Sequence, residues 1–132
     1  VNTVCKRCMA CKNACPAGAV RGDFTVDTEK CLSNVTQKKG ELQRKEIAMI
    51  KENNTVFGCD ICQDVCPHNK NVKKSHFDEF TKNLITKLEY DDIANLSNKE
   101  FFKKYGDRAF AWRGKKVVER NLSYIKDGKS EK

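Results

Sequence analysis

Apolar residues recur at helical spacing in several short segments of the chain, which polar and glycine-containing stretches separate. Ser97-Asn98-Lys99-Glu100 has the pattern of a capping box, so we predict a helix from there towards Tyr105. A last amphipathic helix is predicted over 108–126, with Trp112 and Leu122 among its apolar positions. Shorter helices are predicted earlier in the chain, over 8–15, 28–35, 42–51 and 60–65, with a break at 38–40.

One segment has the pattern of a β-hairpin instead. Ala19-Val20-Arg21 and Phe24-Thr25-Val26 flank Gly22-Asp23, a pair that favours tight turns. The predicted fold class is therefore mostly α with a small β-hairpin.

Length and composition narrow the possibilities. The chain has 132 residues, of which 39% are hydrophobic, and a net charge of +8, which suits one small soluble domain. It contains no apolar run of 18 residues and no charged-then-apolar leader, so we expect neither a membrane span nor export. We expect a cytoplasmic monomer, trimmed from a longer protein because it begins at Val1 rather than Met.

Eight cysteines are the strongest chemical signal. Disulfides are the usual explanation in small secreted proteins, but these cysteines form tight clusters in a lysine-rich chain without an export signal. Cysteines clustered in this way in a reducing compartment usually bind metal. We therefore predict metal ligation.

The first cysteine motif is Cys5-x2-Cys8-x2-Cys11-x3-Cys15-Pro16. This is the spacing of bacterial [4Fe–4S] ferredoxins, in which the fourth cysteine binds the other of two clusters. Three closely spaced thiolates can surround one cluster, while a short helix carries Cys15 beyond its reach.

The second motif, Cys59-x2-Cys62-x3-Cys66-Pro67, lacks the first cysteine of the set, because Val56 occupies that place. Cys31 is the one cysteine left to complete it. The assignment then uses every cysteine: Cys5, Cys8, Cys11 and Cys66 bind cluster one, and Cys15, Cys31, Cys59 and Cys62 bind cluster two.

Zinc is the alternative metal, because CxxC pairs also build zinc ribbons. Ribbons contain two separated CxxC pairs, however, and not the run CxxCxxCxxxCP. Two [4Fe–4S] clusters therefore agree better with the spacing.

Small residues beside the ligands are consistent with cluster packing. Ala17, Gly18 and Ala19 let backbone N–H groups approach the inorganic sulfurs of a cluster and tune its reduction potential. Gly58 has the same potential role, although plain turns explain both glycines equally well. We predict that His68 is a surface residue, since no ligand position is left for it, and we assign no role to His76.

Positive charge is concentrated in the second half of the chain. Residues 1–66 hold ten basic and eight acidic side chains, whereas residues 67–132 hold sixteen and ten. A basic stripe with aromatic residues is typical of nucleic-acid binding, and solvation of an exposed helix explains it equally well. We predict that Phe110 and Trp112 belong to the core. The stripe consists of Lys103, Lys104, Arg108, Arg113, Lys115, Lys116 and Arg120.

Four segments together resemble the iron–sulfur module of the epoxyqueuosine reductase family. They are CKRCMACKNACPAGAV, KCLSNVTQKKGEL, FGCDICQDVCPHNK and LSNKEFFKKYGDRAFAWRGKKVVERNL. The lone Cys31 and the shortened second motif distinguish this pattern from an ordinary ferredoxin, and the resemblance spans roughly residues 1–125.

The resemblance implies an activity. Members of this family reduce the epoxide of epoxyqueuosine at the tRNA wobble position, using cobalamin to which two [4Fe–4S] clusters feed electrons. It further implies that cluster two is the one nearer cobalamin, that the basic segment faces tRNA, and that an external reductant such as ferredoxin or flavodoxin supplies electrons. Related cobalamin-dependent reductive dehalogenases share the architecture.

We expect two parts, a double-cluster ferredoxin-like domain over 1–67 and a helical basic segment over 68–132. The family's N-terminal cobalamin-binding domain is expected to be absent, so the chain should deliver electrons without catalysing alone. Two other functions stay open: a free-standing double-cluster ferredoxin, and a nucleic-acid-binding module whose metal is structural.

Overall fold

The computed structural model describes residues 3–130, with side chains up to Lys126. Residues 1–2, at the start of the first predicted part, and residues 131–132, at the end of the second, lie outside the described residues. The described chain is helical, as predicted. Its helices are α1 (Ala10–Ala14), α2 (Leu32–Val35), α3 (Arg44–Asn53), α4 (Ile61–Asp64), α5 (Tyr90–Ala94), α6 (Asn98–Tyr105) and α7 (Lys115–Ser130).

The predicted β-hairpin is wrong. Its two arms meet at one isolated antiparallel bridge between Val20 and Val26, and no strand forms in the described part of the chain. Between them the chain makes a local loop, in which Phe24 has a left-handed φ of 69° and Asp23 Oδ1 accepts the N–H of Thr25 at 3.0 Å. Because the loop takes up these residues, too few remain to extend the ladder.

Helix ends follow the local chemistry of the flanking residues. α1 is shorter than predicted, because Met9 is left-handed (φ 62°) and the helix begins after it. α2 is also shorter, since Cys31 is extended (ψ 127°) and separates it from the turn before it. α6 confirms the predicted capping box: Ser97 N–H donates to Glu100 Oε2 at 2.8 Å, and Ser97 Oγ accepts the Glu100 N–H at 3.2 Å.

The predicted helix over 108–126 is interrupted. Residues Ala109–Ala111 form a 3₁₀ turn, and α7 begins at Lys115 after Gly114, whose φ of 91° is left-handed. A right-handed helix cannot pass through that conformation, so the amphipathic pattern is divided between a turn and a helix.

Two apolar clusters meet along α7. The first packs α5 and α6 onto α7 around Phe101, which is fully buried, and Leu122. The second packs α2 and α3 onto the same helix around Ile50 and Ile125. The two halves of the sequence therefore share a core, with α7 as the common element.

A buried amide ties α7 to the cysteine-bearing half. Asn121 is fully buried, and its Nδ2 donates to the carbonyl oxygens of Thr36 at 2.7 Å and Val56 at 2.9 Å. Thr36 is also fully buried, and its Oγ1 accepts the N–H of Gly58 at 3.1 Å. One side chain thus fixes the segments that follow Cys31 and precede Cys59.

The segment between the two halves is irregular. Residues 70–87 are exposed and contain one 3₁₀ turn, Asp78–Phe80. The predicted helical character of the basic segment therefore begins only at α5. Within the described residues, none of the helices is long and apolar enough to cross a membrane.

We predict that Asn121→Ala lowers the free energy of unfolding by about 1–3 kcal/mol, because two buried carbonyl oxygens lose their donor. The measurement is the urea midpoint by far-UV circular dichroism on anaerobically reconstituted protein. The control is Asn71→Ala, which changes an exposed residue and should alter the free energy by less than about 0.5 kcal/mol. Equal midpoints for the two variants would contradict the prediction.

Candidate metal centre

Two short helices carry cysteines in equivalent ways and pack against each other. Cys15 follows α1 and Cys66 follows α4, and each is extended, with ψ of 113° and 121°. The proline after each cysteine disfavours the helical conformation, which explains why both helices end there. The packing of α1 on α4 brings the two cysteine motifs side by side.

The approach to each motif is also equivalent. Arg7 precedes Cys8 with a φ of 55°, and Gly58 precedes Cys59 with a φ of 75°. Both positions make a left-handed turn directly before a cysteine. Because the Gly58 N–H donates to Thr36, the turn explanation is the one that fits this glycine.

The sulfur of Cys15 lies in a ring of backbone amides. Burial raises the pKa of this thiol, but hydrogen bonds from four successive backbone groups, residues 17–20, lower it overall. The Ala19 N–H lies 3.3 Å from Cys15 Sγ, and Gly18 has the left-handed φ of 58° that shapes the loop. These amides therefore stabilise negative charge on the Cys15 sulfur. The predicted approach of the same segment to the inorganic sulfur of a cluster stays a prediction.

Three cysteines, two of them distant in sequence, lie near Cys59. Burial and nearby thiolates raise the pKa of the Cys59 thiol. A hydrogen bond from the backbone N–H of Ile61 lowers it, but does not cancel the increase. These neighbours are Cys31, Cys62 and Cys15. They are the set predicted for cluster two.

The thiols do not converge on one point. Among the described residues, no three His, Cys, Asp or Glu side chains are arranged to hold a single metal ion. A polynuclear cluster needs a wider arrangement than one zinc ion, since each thiolate binds a different iron. Every cysteine is unpaired, so the donor set fits iron–sulfur clusters.

The two predicted clusters differ in exposure. Cys5 and Cys8 are exposed, whereas the other cysteines are half-buried. A cavity of about 700 Å³ adjoins Cys59, and its lining includes residues 53–61 and 85–91 and, from α7, Leu122, Ile125 and Lys126. The side of the site with Cys5 and Cys8 is therefore exposed to solvent, and the side with Cys59 adjoins the cavity.

The structure divides the predicted basic stripe. Lys103, Lys104, Arg113 and Lys116 are exposed, and Arg108 is partly buried beside Asp107. Two other members point inward, contrary to the prediction. Arg120 donates to the carbonyl oxygen of Lys38 at 2.8 Å, and the Lys115 ammonium donates to Ala94 O at 3.2 Å.

Three aromatic or histidine positions were also predicted. Phe110 packs against the core as expected, whereas Trp112 is 59% exposed and is not a core residue. Its indole N–H donates to Gln37, a contact that no sequence pattern indicates. His68 lies exposed in the 3₁₀ turn Pro67–Asn69, as expected for a surface histidine.

Comparison with known proteins identifies the domain family. Residues 4–69 match the family described as 4Fe-4S double cluster binding domain. An epoxyqueuosine reductase from Lactococcus garvieae is 38% identical over 121 residues, which cover 91% of this chain and 34% of that protein.

Solved structures agree. The structure of epoxyqueuosine reductase from Streptococcus thermophilus matches 97% of this chain with a TM-score of 0.80 at 32% identity, and 33% of that protein is covered. An epoxyqueuosine reductase crystallised with an epoxyqueuosine-modified tRNA-Tyr stem loop matches 95% of this chain and 33% of its own, with a TM-score of 0.76 at 34% identity.

The chain spans about a third of the length of these relatives. The matched family and the similar solved structures are both consistent with the two cysteine motifs of the chain. The chain therefore belongs to the family of 4Fe-4S double cluster binding domains, in the form that occurs in epoxyqueuosine reductases.

Proposed function

We propose that this chain is the electron-delivery part of an epoxyqueuosine reductase and holds two [4Fe–4S] clusters. The observation that carries the proposal is the match of residues 4–69 to the 4Fe-4S double cluster binding domain, together with the proximity of Cys15, Cys31 and Cys62 to Cys59. When bound, such clusters accept and release one electron at a time. The ligand sets are those predicted: Cys5, Cys8, Cys11 and Cys66 for cluster one, and Cys15, Cys31, Cys59 and Cys62 for cluster two.

The connection through α1 keeps the two ligand sets adjacent. Cys11 and Cys15 belong to different sets, and four residues of helix separate them by about 6 Å along the axis. The packing of α1 on α4 supports the same arrangement from the second motif, where Cys62 and Cys66 are also divided between the sets. Short separation is what transfer of electrons between two centres requires.

The differences in exposure support a direction. Cys5 and Cys8 face solvent beside the exposed cations Lys6, Arg7 and Lys12, which suits an acidic electron donor of the ferredoxin or flavodoxin class. Clusters held at the two sites would then take up electrons on the side of Cys5 and Cys8 and pass them to the side of Cys59. The amide ring at Cys15 stabilises negative charge on the inner side.

Cobalamin enters the proposal through the family resemblance, and no residue of this chain is assigned to it. The cavity against Cys59 supports placing a group that receives electrons on that side. Reduction of an epoxide to an alkene consumes two electrons and two protons and releases water, so two single-electron deliveries serve one turnover.

The substrate follows from the relatives. We infer that the whole protein acts on epoxyqueuosine in tRNA, because a similar chain was crystallised with an epoxyqueuosine-modified stem loop. The exposed members of the basic stripe supply positive charge for a phosphate backbone. We further propose that the protein works in the cytoplasm as a monomer.

The first test is metal content. Anaerobically reconstituted protein should contain about eight iron and about eight acid-labile sulfide per chain, because every cysteine is a ligand. After dithionite reduction, electron paramagnetic resonance should show coupled S = 1/2 signals from two neighbouring clusters. Zinc in place of iron would refute the proposal.

A second test separates the clusters. Cys31→Ala should lose cluster two and Cys66→Ala should lose cluster one, each leaving about four iron and a different residual resonance signal. Ser33→Ala, two residues from Cys31, is the control and should retain both clusters. Retention of about eight iron by Cys31→Ala would disprove the ligand assignment.

A third test concerns turnover. We predict that residues 1–132, given cobalamin, dithionite and epoxyqueuosine-containing tRNA, form no queuosine, because the chain spans about a third of its relatives' length. Mass spectrometry of digested tRNA measures the product, and a full-length relative is the positive control. Product formation by this chain would show that it is catalytic by itself.

A further inference from the structure

An exposed tryptophan in the basic segment (68–132) is held in a fixed position. Trp112 is 59% exposed, yet its Nε1–H donates to Gln37 Oε1 at 2.9 Å, and the Arg113 guanidinium lies 3.8 Å from the ring centroid. Both contacts restrain the ring without burying it. A large aromatic side chain that is rigid and exposed is typical of an interface.

A small basic cavity lies beside this tryptophan. It has a volume of about 370 Å³, and its lining includes Phe102, which is 51% exposed, and the basic residues Lys39, Arg113, Lys115 and Lys116. Of these, Lys115 is paired with Glu119. No acidic residue lines it, and within the described residues Lys39 and Lys116 form no ion pair. Lys39 lies far from the basic stripe in sequence, whereas Phe102 directly precedes Lys103, its first member.

The wall of the cavity is anchored from inside the fold. The Arg120 guanidinium donates to the carbonyl oxygens of Lys38 and Gly40, on either side of Lys39. Gln37, which holds Trp112, belongs to the same segment. The cations and the ring are therefore pre-positioned, which reduces the entropy lost on binding.

We propose that Trp112, Phe102, Lys39, Arg113 and Lys116 form a binding site for a single-stranded segment of RNA. Unpaired bases stack on exposed aromatic rings and on arginine planes, and the adjacent cations contact the phosphodiesters. An acidic protein segment would satisfy the cations but would make no use of the two exposed rings. The choice of RNA rests on the proposed function. The site extends that function to named residues in the 37–40 segment and in the basic segment (68–132).

The probe for the experiment is a fluorescein-labelled, unmodified tRNA-Tyr anticodon stem loop, titrated with the anaerobically reconstituted chain. Anisotropy gives Kd. Intrinsic fluorescence reports on the site directly, because the chain has one tryptophan. We expect the stem loop to quench Trp112, and we expect a fully paired duplex of the same stem, polyglutamate and inorganic phosphate not to do so.

The variants separate stacking from charge. Trp112→Ala should weaken binding about tenfold or more, and Trp112→Phe should restore most of the affinity. Combined Lys39→Gln and Lys116→Gln should weaken binding and reduce the slope of log Kd against log salt by about 0.7 per lost contact. Lys73→Gln with Lys74→Gln removes equal charge from the exposed 70–87 segment and is the matched control.

Three results would overturn the site: equal affinity of the Trp112→Ala and control variants, equal quenching by polyglutamate, or equal quenching by inorganic phosphate. Iron content and resonance signals of each variant are recorded in parallel. Intact clusters without RNA binding would count against this site alone, whereas RNA binding without iron would count against the electron-delivery function alone.

Discussion

The buried amide of Asn121 is the contact on which the arrangement of the metal centre depends. Its two hydrogen bonds fix the carbonyl oxygens of Thr36 and Val56, and Thr36 in turn holds the N–H of Gly58. These residues flank the segments that present Cys31 and Cys59. Since ligands distant in sequence must meet around a cluster, a shared anchor on α7 keeps them in register when the surrounding loops provide little apolar burial.

The candidate metal centre lies largely outside the apolar core, which it contacts at Cys59. Both hydrophobic clusters pack along α7, whereas the cysteines lie on short helices and turns that are exposed or half-buried. This division follows from the size of the chain, because a small domain has too little apolar surface to enclose a metal site as well. Bound clusters are therefore expected to contribute to the stability of the cysteine-bearing half, as metal binding is coupled to folding in small domains.

The basic segment (68–132) has a structural role, and it also presents positive charges to solvent. Arg120 and Lys115 resemble the other basic residues in sequence, but their hydrogen bonds to backbone carbonyl oxygens join α7 to the rest of the fold. Arg113 and Lys116 remain exposed on the same stretch. A run of cations in sequence thus divides into anchors and surface charges according to the direction that each side chain takes from its helix.

Local chemistry determined what the sequence could predict. Cysteine spacing indicated a double cluster domain, the prolines ended both ligand helices, and the capping box at Ser97 placed α6, because each effect acts within a few residues. Tertiary structure alone decided that Trp112 lies outside the core and that Asn121 joins two ligand segments. Those outcomes depend on partners up to 85 residues away, which no short-range pattern encodes.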